Sequence, residues 1–177
     1  KKIIIRCDLN VPIENGVITD DTRIIASLRT IKYALRFNTK IILLSHLGKI
    51  KTEEDKKKNS LYPVVERLRE YLNTEVLFSP DTCSDRLTDM VNNMKEKSVL
   101  LIENTRFEDV PDKRESECND DLAKYWASLG DIFINDAYGT CHRNHTSITG
   151  IPKYLPSGVG FLVEKELQKI DSVLDAK

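Results

Sequence analysis

With 177 residues, a formal charge of −1, and 40% hydrophobic against 31% charged residues, the chain has the balance of a globular domain with a substantial core. Near-neutral charge argues against a nucleic-acid partner and confines any basic site to a local cluster. No apolar stretch approaches the ~18 residues of a membrane helix. Cys7, Cys83, Cys118 and Cys141 are scattered without a CxxC pair, which points to a reducing, cytoplasmic setting and away from zinc.

In chain order, Ile3 to Cys7 is a short, β-branched apolar run that reads as a strand buried on both faces, cut off by "DLNVP". Asp20 and Asp21 can cap a helix with an apolar face of Ile24, Ile25, Leu28, Ile31 and Leu35. A second strand follows at Ile41 to Leu44, and then "KIKTEEDKKK" (49–58), which reads as a solvated loop of mixed charge. "LYPVVERLREYL" puts Pro63 in the first turn of a helix and Val64, Val65, Leu68 and Leu72 on one stripe. Val76 to Phe78 is a third strand, "DRLTDMVNNMKEK" after Ser84 a helix, and Val99 to Ile102 a fourth strand. "DLAKYWASLG" is a helix closed by Gly130, and Ile132 to Ile134 is a fifth strand. This alternation predicts an α/β fold: a doubly wound, Rossmann-like, mainly parallel sheet in three α/β/α layers.

Ligands of such sheets bind beyond the carboxyl ends of the strands. Those ends read "DLN", "SHLGK", "SPD", "ENTR" and "NDAYGTCHRNH", whereas the amino ends carry plain solvating residues such as Lys40, Glu75, Ser98 and Asp131. The candidates are Asp8, Asn10, Arg23, His46, Lys49, Arg106 and Arg143. Five of them have a structural alternative. Asp8 and Asn10 can form an Asx-turn before Pro12, His46 can be a satisfied strand-end histidine, and the two late arginines can pair with Glu103 or Asp136. His142 and His145 are three apart but lack a third ligand, so no metal is expected. Neither G-x-x-x-x-G-K-[ST] nor G-x-G-x-x-G occurs. The convergent cations suit a small polyanion bearing a hydroxyl.

Six blocks in order, "RCDLNVP", "GVITDDTRI", "LLSHLGK", "LLIENTRF", "DIFINDAYGTCHRNH" and "GVGFLVEKEL", resemble the amino-terminal half of the phosphoglycerate kinase family. The resemblance implies reversible phosphoryl transfer between 1,3-bisphosphoglycerate with ADP and 3-phosphoglycerate with ATP. It implies the first of two domains in residues 1–163, with 164–177 opening the connecting helix and the nucleotide-binding domain lying outside this chain. Asp8 and Asn10 then hydrogen-bond the hydroxyl and carboxyl end of the glycerate. Arg23, the catalytic candidate, stands beside the acyl group, where it can neutralise charge on the phosphoryl in transit. His46, Lys49, Arg106 and Arg143 surround the 3-phosphate, and Gly48 lets the loop backbone come close. Lys49 departs from the commoner "HLGRP" and supplies a point charge without a guanidinium fork.

The cofactor implied is Mg²⁺ with ATP or ADP, bound by the other domain and not by this chain. The partners implied are the phosphoglycerates and that domain, with no nucleic acid or membrane, in an enzyme that is monomeric and glycolytic. The half alone is expected to be inactive. The alternative is a stand-alone receiver-like signalling module with Asp81 as phospho-acceptor, although "DLN" lacks the acidic pair and "NDAYGTCHR" the lysine that such a module needs.

Overall fold

The computed structural model describes residues 1–176. Its central sheet runs β5-β6-β4-β1-β7-β8, with every neighbouring pair parallel. The strands are β1 (Lys2–Arg6), β4 (Lys40–Leu44), β5 (Val76–Ser79), β6 (Val99–Ile102), β7 (Ile132–Asn135) and β8 (Ser157–Val159). Two residues each from β2 (Ile13–Glu14) and β3 (Val17–Ile18) form a separate hairpin. Its turn, Asn15-Gly16, has both φ values positive, as a two-residue hairpin turn requires.

Both faces of the sheet are covered, which explains the unbroken apolar runs. Ile5, Ile41, Leu43, Val99 and Leu101 point to one side, into a core shared with α1 (Thr22–Leu35) and α3 (Tyr62–Tyr71). Ile4, Ile42, Leu44, Leu100, Ile102 and Phe133 point to the other, against α4 (Asp85–Asn92) and α5 (Asp120–Ser128). The two-residue alternation of strand side chains thus builds two cores from one sheet, each buried aliphatic side chain contributing about 1.5–3 kcal/mol. Trp126 is fully buried in the second core and donates its indole N–H to Thr82 O at 2.8 Å.

Five expected strands and four expected helices are present, with differences that have local causes. β8 is an added edge strand, too short and too glycine-containing to read as one. The expected loop at 49–58 contains α2 (Glu53–Lys58), which buries no residue and so has no apolar stripe. A reciprocal capping box holds it instead: Thr52 Oγ1 accepts the Asp55 N–H, and Asp55 accepts the Thr52 N–H. Ile25, assigned to the inner face of α1, is exposed. At the start of α1, Asp20 accepts the Thr22 N–H, while Asp21 turns away to Arg67 and Tyr71. Gly130 does close α5, but its φ is not left-handed. A Cβ there would come within 2.6 Å of the Ile4 side chain, so close strand–helix packing requires the glycine.

The last helix, α6 (Phe161–Asp175), is anchored by its first turn. Phe161 N–H donates to Thr30 Oγ1 at 3.1 Å and Leu162 N–H to Asp136 Oδ1 at 3.0 Å. Phe161 packs edge-on against Tyr33 with ring centroids 5.1 Å apart. Further along, Leu167, Ile170, Val173 and Leu174 are exposed. No helix among the described residues is long and apolar enough to cross a membrane.

Candidate functional site

Asp8 and Asn10 follow β1; His46, Gly48 and Lys49 follow β4; Arg106 follows β6; and Arg143 follows β7. β6, β4, β1 and β7 are consecutive neighbours in the sheet. Seven of the eight candidates therefore come from the same end of four adjacent strands. Arg23 joins them from the first turn of α1.

Hydrogen bonds tie these loops into one rim. Arg23 Nη1 donates to Asn10 O at 2.8 Å and stands 3.5 Å from Asp8 Oδ1. Asn10 Oδ1 accepts the Gly48 N–H at 2.9 Å, and Arg106 Nη1 donates to Gly48 O at 2.7 Å. Asp8, Asn10, Gly48 and Arg106 are half-buried, whereas Arg23, Lys49 and Arg143 are exposed. The Asx-turn is also real, since Asn10 N–H bonds Asp8 Oδ1 at 3.1 Å. It leaves the Asn10 amide free to reach Gly48, so ending the strand and organising the rim are compatible tasks.

Gly48 has φ +60°, and a Cβ on it would lie 2.4 Å from Asn59 Oδ1. Only glycine fits both that backbone and that neighbour. Lys49, Arg106, Arg143 and His145 line one cleft of about 550 Å³. Asn10 and Arg23 line the adjoining groove with Asp20 and Thr22. The carboxylates proposed as arginine partners are engaged elsewhere. Glu103 accepts the Leu61 and Asn104 N–H groups and the Ser60 hydroxyl, and Asp136 accepts from Leu162.

His46 is buried, with Nδ1 3.0 Å from Arg6 Nη2. Burial first, then the charges of Arg6 and Arg106, pull its pKa down to about 2, so the ring is neutral. Arg106 is lowered as well, by burial and then by Arg143. Mutual repulsion among clustered cations is what an anion would relieve.

Three residues here escaped sequence reasoning. Asn104, fully buried, clamps the β4 loop. His145, which the sequence sets only beside His142, is buried with Nδ1 unpartnered, while His142 is exposed. Arg6, given no role by the sequence, is fully buried against His46. The signals available were the "EN" after the fourth predicted strand and an arginine inside an apolar run.

The rim shows no metal site of its own. Its lining is cationic, and no three His, Cys, Asp or Glu side chains among the described residues gather to hold a metal ion. Asp81, the acceptor of the receiver-like alternative, is gripped by Arg86 Nε and Nη2 at 2.8 Å each and by Ser84.

The family model for phosphoglycerate kinase matches residues 1–177. The chain belongs to the phosphoglycerate kinase family. Curated phosphoglycerate kinases of Listeria innocua and Enterococcus faecalis are each 54% identical to it, over 175 and 176 residues. Both alignments cover 99% of this chain and 44% of the relative, so the chain spans less than half the length of these relatives. Among solved structures, the phosphoglycerate kinase of Coxiella burnetii superposes with a TM-score of 0.79 at 35% identity, covering 94% of this chain and 40% of that one. That of Pyrococcus horikoshii gives 0.80 at 31%, covering 95% and 42%.

Proposed function

We propose that this chain is the phosphoglycerate-binding half of a phosphoglycerate kinase, holding 3-phosphoglycerate or 1,3-bisphosphoglycerate at the carboxyl ends of β6, β4, β1 and β7. The observation that carries the reading is the run of contacts Arg23–Asn10–Gly48–Arg106, which joins the groove beside Arg23 to the cationic cleft. In this reading Lys49, Arg106, Arg143 and His145 take the 3-phosphate, with His46 behind them. Charge-assisted bonds to it are worth roughly 1.5–3 kcal/mol each. Asp8 and Asn10 bind the hydroxyl and carboxyl end, and Gly48 lets the loop approach.

Arg23 lies beyond Asn10, at the acyl end of such a ligand. Its guanidinium is exposed and available to neutralise charge on the phosphoryl in transit, a role worth ~10³–10⁵ in rate in phosphoryl transfer. The chain's other work is positioning: it fixes the acceptor carboxyl and repels wrongly charged ligands. Mg²⁺ with ATP or ADP is assigned to the nucleotide-binding half of the family, outside these residues. Residues 164–177, with the exposed Leu167, Ile170, Val173 and Leu174, are read as the start of the connecting helix, and 1–163 as the substrate domain. The full enzyme is read as cytoplasmic and monomeric.

Calorimetric titration of the 177-residue chain with 3-phosphoglycerate, beside a coupled assay with MgATP, tests this. One-site binding without turnover is expected. Absence of binding, or robust ATP consumption, would overturn it.

A further inference from the structure

Behind the rim lies a chain of buried polar groups of which the phosphoglycerate reading uses only His46. Arg6, Glu115 and Ser147 have no exposed surface, and His46 is 5% exposed. Arg6 Nε donates to Ser147 Oγ at 2.8 Å, Nη1 donates to Cys7 O, and Nη2 reaches His46 Nδ1 at 3.0 Å. Ser147 Oγ donates in turn to Glu115 Oε2 at 2.7 Å, and Glu115 Oε1 accepts the Ser147 N–H at 2.8 Å.

Every proton in this chain has one possible place. A guanidinium only donates, so His46 Nδ1 must offer its lone pair, and the proton of the neutral ring sits on Nε2. Because Ser147 Oγ already accepts from Arg6, its own hydrogen turns to Glu115. Glu115 is the anion that offsets burial of the guanidinium, acting through a single hydroxyl. Burial lowers the Arg6 pKa and Glu115 raises it, and a buried cation without such a partner would be costly. The charged and titratable groups facing His46 come from three elements. They are Arg6 on β1, Arg106 after β6, and Arg143 and His145 after β7.

We propose that Glu115 and Ser147 are positioning residues that act through Arg6 to hold His46 as the Nε2–H tautomer, a fixed donor toward the phosphate. The proposal rests on the phosphoglycerate reading. A phosphate dianion only accepts, so the opposite tautomer would present a lone pair to it. The relay thus converts a buried carboxylate far along the chain into a defined hydrogen on the ligand side of an imidazole.

Long-range ¹H–¹⁵N correlation spectra of the 177-residue chain, which has three histidines, test it directly. Between pH 5.5 and 8, His46 is expected to show a protonated Nε2 and a bare Nδ1. A protonated Nδ1 would overturn the proposal even if no variant folds. In Ser147→Ala the two tautomers are expected to mix, and 3-phosphoglycerate affinity to fall about tenfold. Ser147→Thr, which keeps the hydroxyl, should restore both. An unchanged His46 spectrum in a folded Ser147→Ala chain would also overturn it. If wild-type His46 shows the Nε2–H form while neither 3-phosphoglycerate nor inorganic phosphate binds, the relay stands and the ligand reading fails.

Discussion

Asn104 grips Leu47 by both main-chain groups: Nδ2 donates to Leu47 O at 2.7 Å, and Oδ1 accepts the Leu47 N–H at 3.2 Å. The same amide donates to Asn59 O and accepts the Arg106 N–H. One buried side chain therefore fixes the loop bearing His46, Gly48 and Lys49 against the turn bearing Arg106. Asn104→Ala would leave several buried backbone groups unpaired. Urea denaturation should show a loss of about 2–4 kcal/mol, with weakened 3-phosphoglycerate binding in what remains folded.

Gly48→Ala should be costly out of proportion to one methyl group. The left-handed backbone adds about 1–2 kcal/mol, and the new Cβ would displace Asn59, whose amide bonds Asp55 O at the end of α2. Thermal unfolding measures the stability loss, and calorimetry should show 3-phosphoglycerate affinity falling with it.

Arg143 should behave in the opposite way. It is exposed and pairs with no carboxylate among the described residues, so Arg143→Ala should shift stability by under ~0.5 kcal/mol. Its binding of 3-phosphoglycerate should fall roughly 10- to 100-fold. Lys49→Arg, which restores a planar fork, should tighten binding or leave it unchanged. Calorimetry on both variants, with urea melts as the stability control, separates binding from folding.

Acid should destabilise this fold through His46. Unfolded, it titrates near its ordinary 6.5; folded, it stays neutral down to about 2. Below pH 6.5 the unfolded chain therefore binds a proton that the folded chain refuses. Stability is full above that pH and falls by up to about 1.4 kcal/mol per unit as pH drops toward 2. His145, lowered mainly by burial, acts in the same direction. Glu103 and Asp136, raised by burial, oppose it once pH is low enough to protonate them in the folded state. Urea melts from pH 7 to 5 should show this slope in the wild type and about one proton less in His46→Asn.

The sheet was legible because strands buried on both faces must be continuously apolar, and these runs are short and β-branched. The rim was legible for a related reason: Asp8, Asn10, His46, Lys49 and Arg106 stand where such runs stop. What stayed hidden depends on long-range partners. Arg6 meets Ser147 across 141 positions, and its place inside an apolar run marks it as unusual without saying which partner it takes. Glu115 lies in a polar stretch without apolar periodicity, and its partner Ser147 is far along the chain. α2 lacks an apolar stripe, so its only sequence mark was the Thr52–Asp55 capping box. Ile25 shows the reverse error, an apolar residue that fits the helical period but lies just outside the buried arc.

The central claim is that one small phosphorylated acid occupies the rim formed by β6, β4, β1 and β7. Amide chemical-shift mapping of the ¹⁵N-labelled chain during titration with 3-phosphoglycerate tests it most directly. Saturable shifts should concentrate at residues 8–10, 46–51, 104–109 and 139–147, with the Tyr33–Phe161 face unmoved. Shifts confined to that face, or scattered without saturation, would contradict the account.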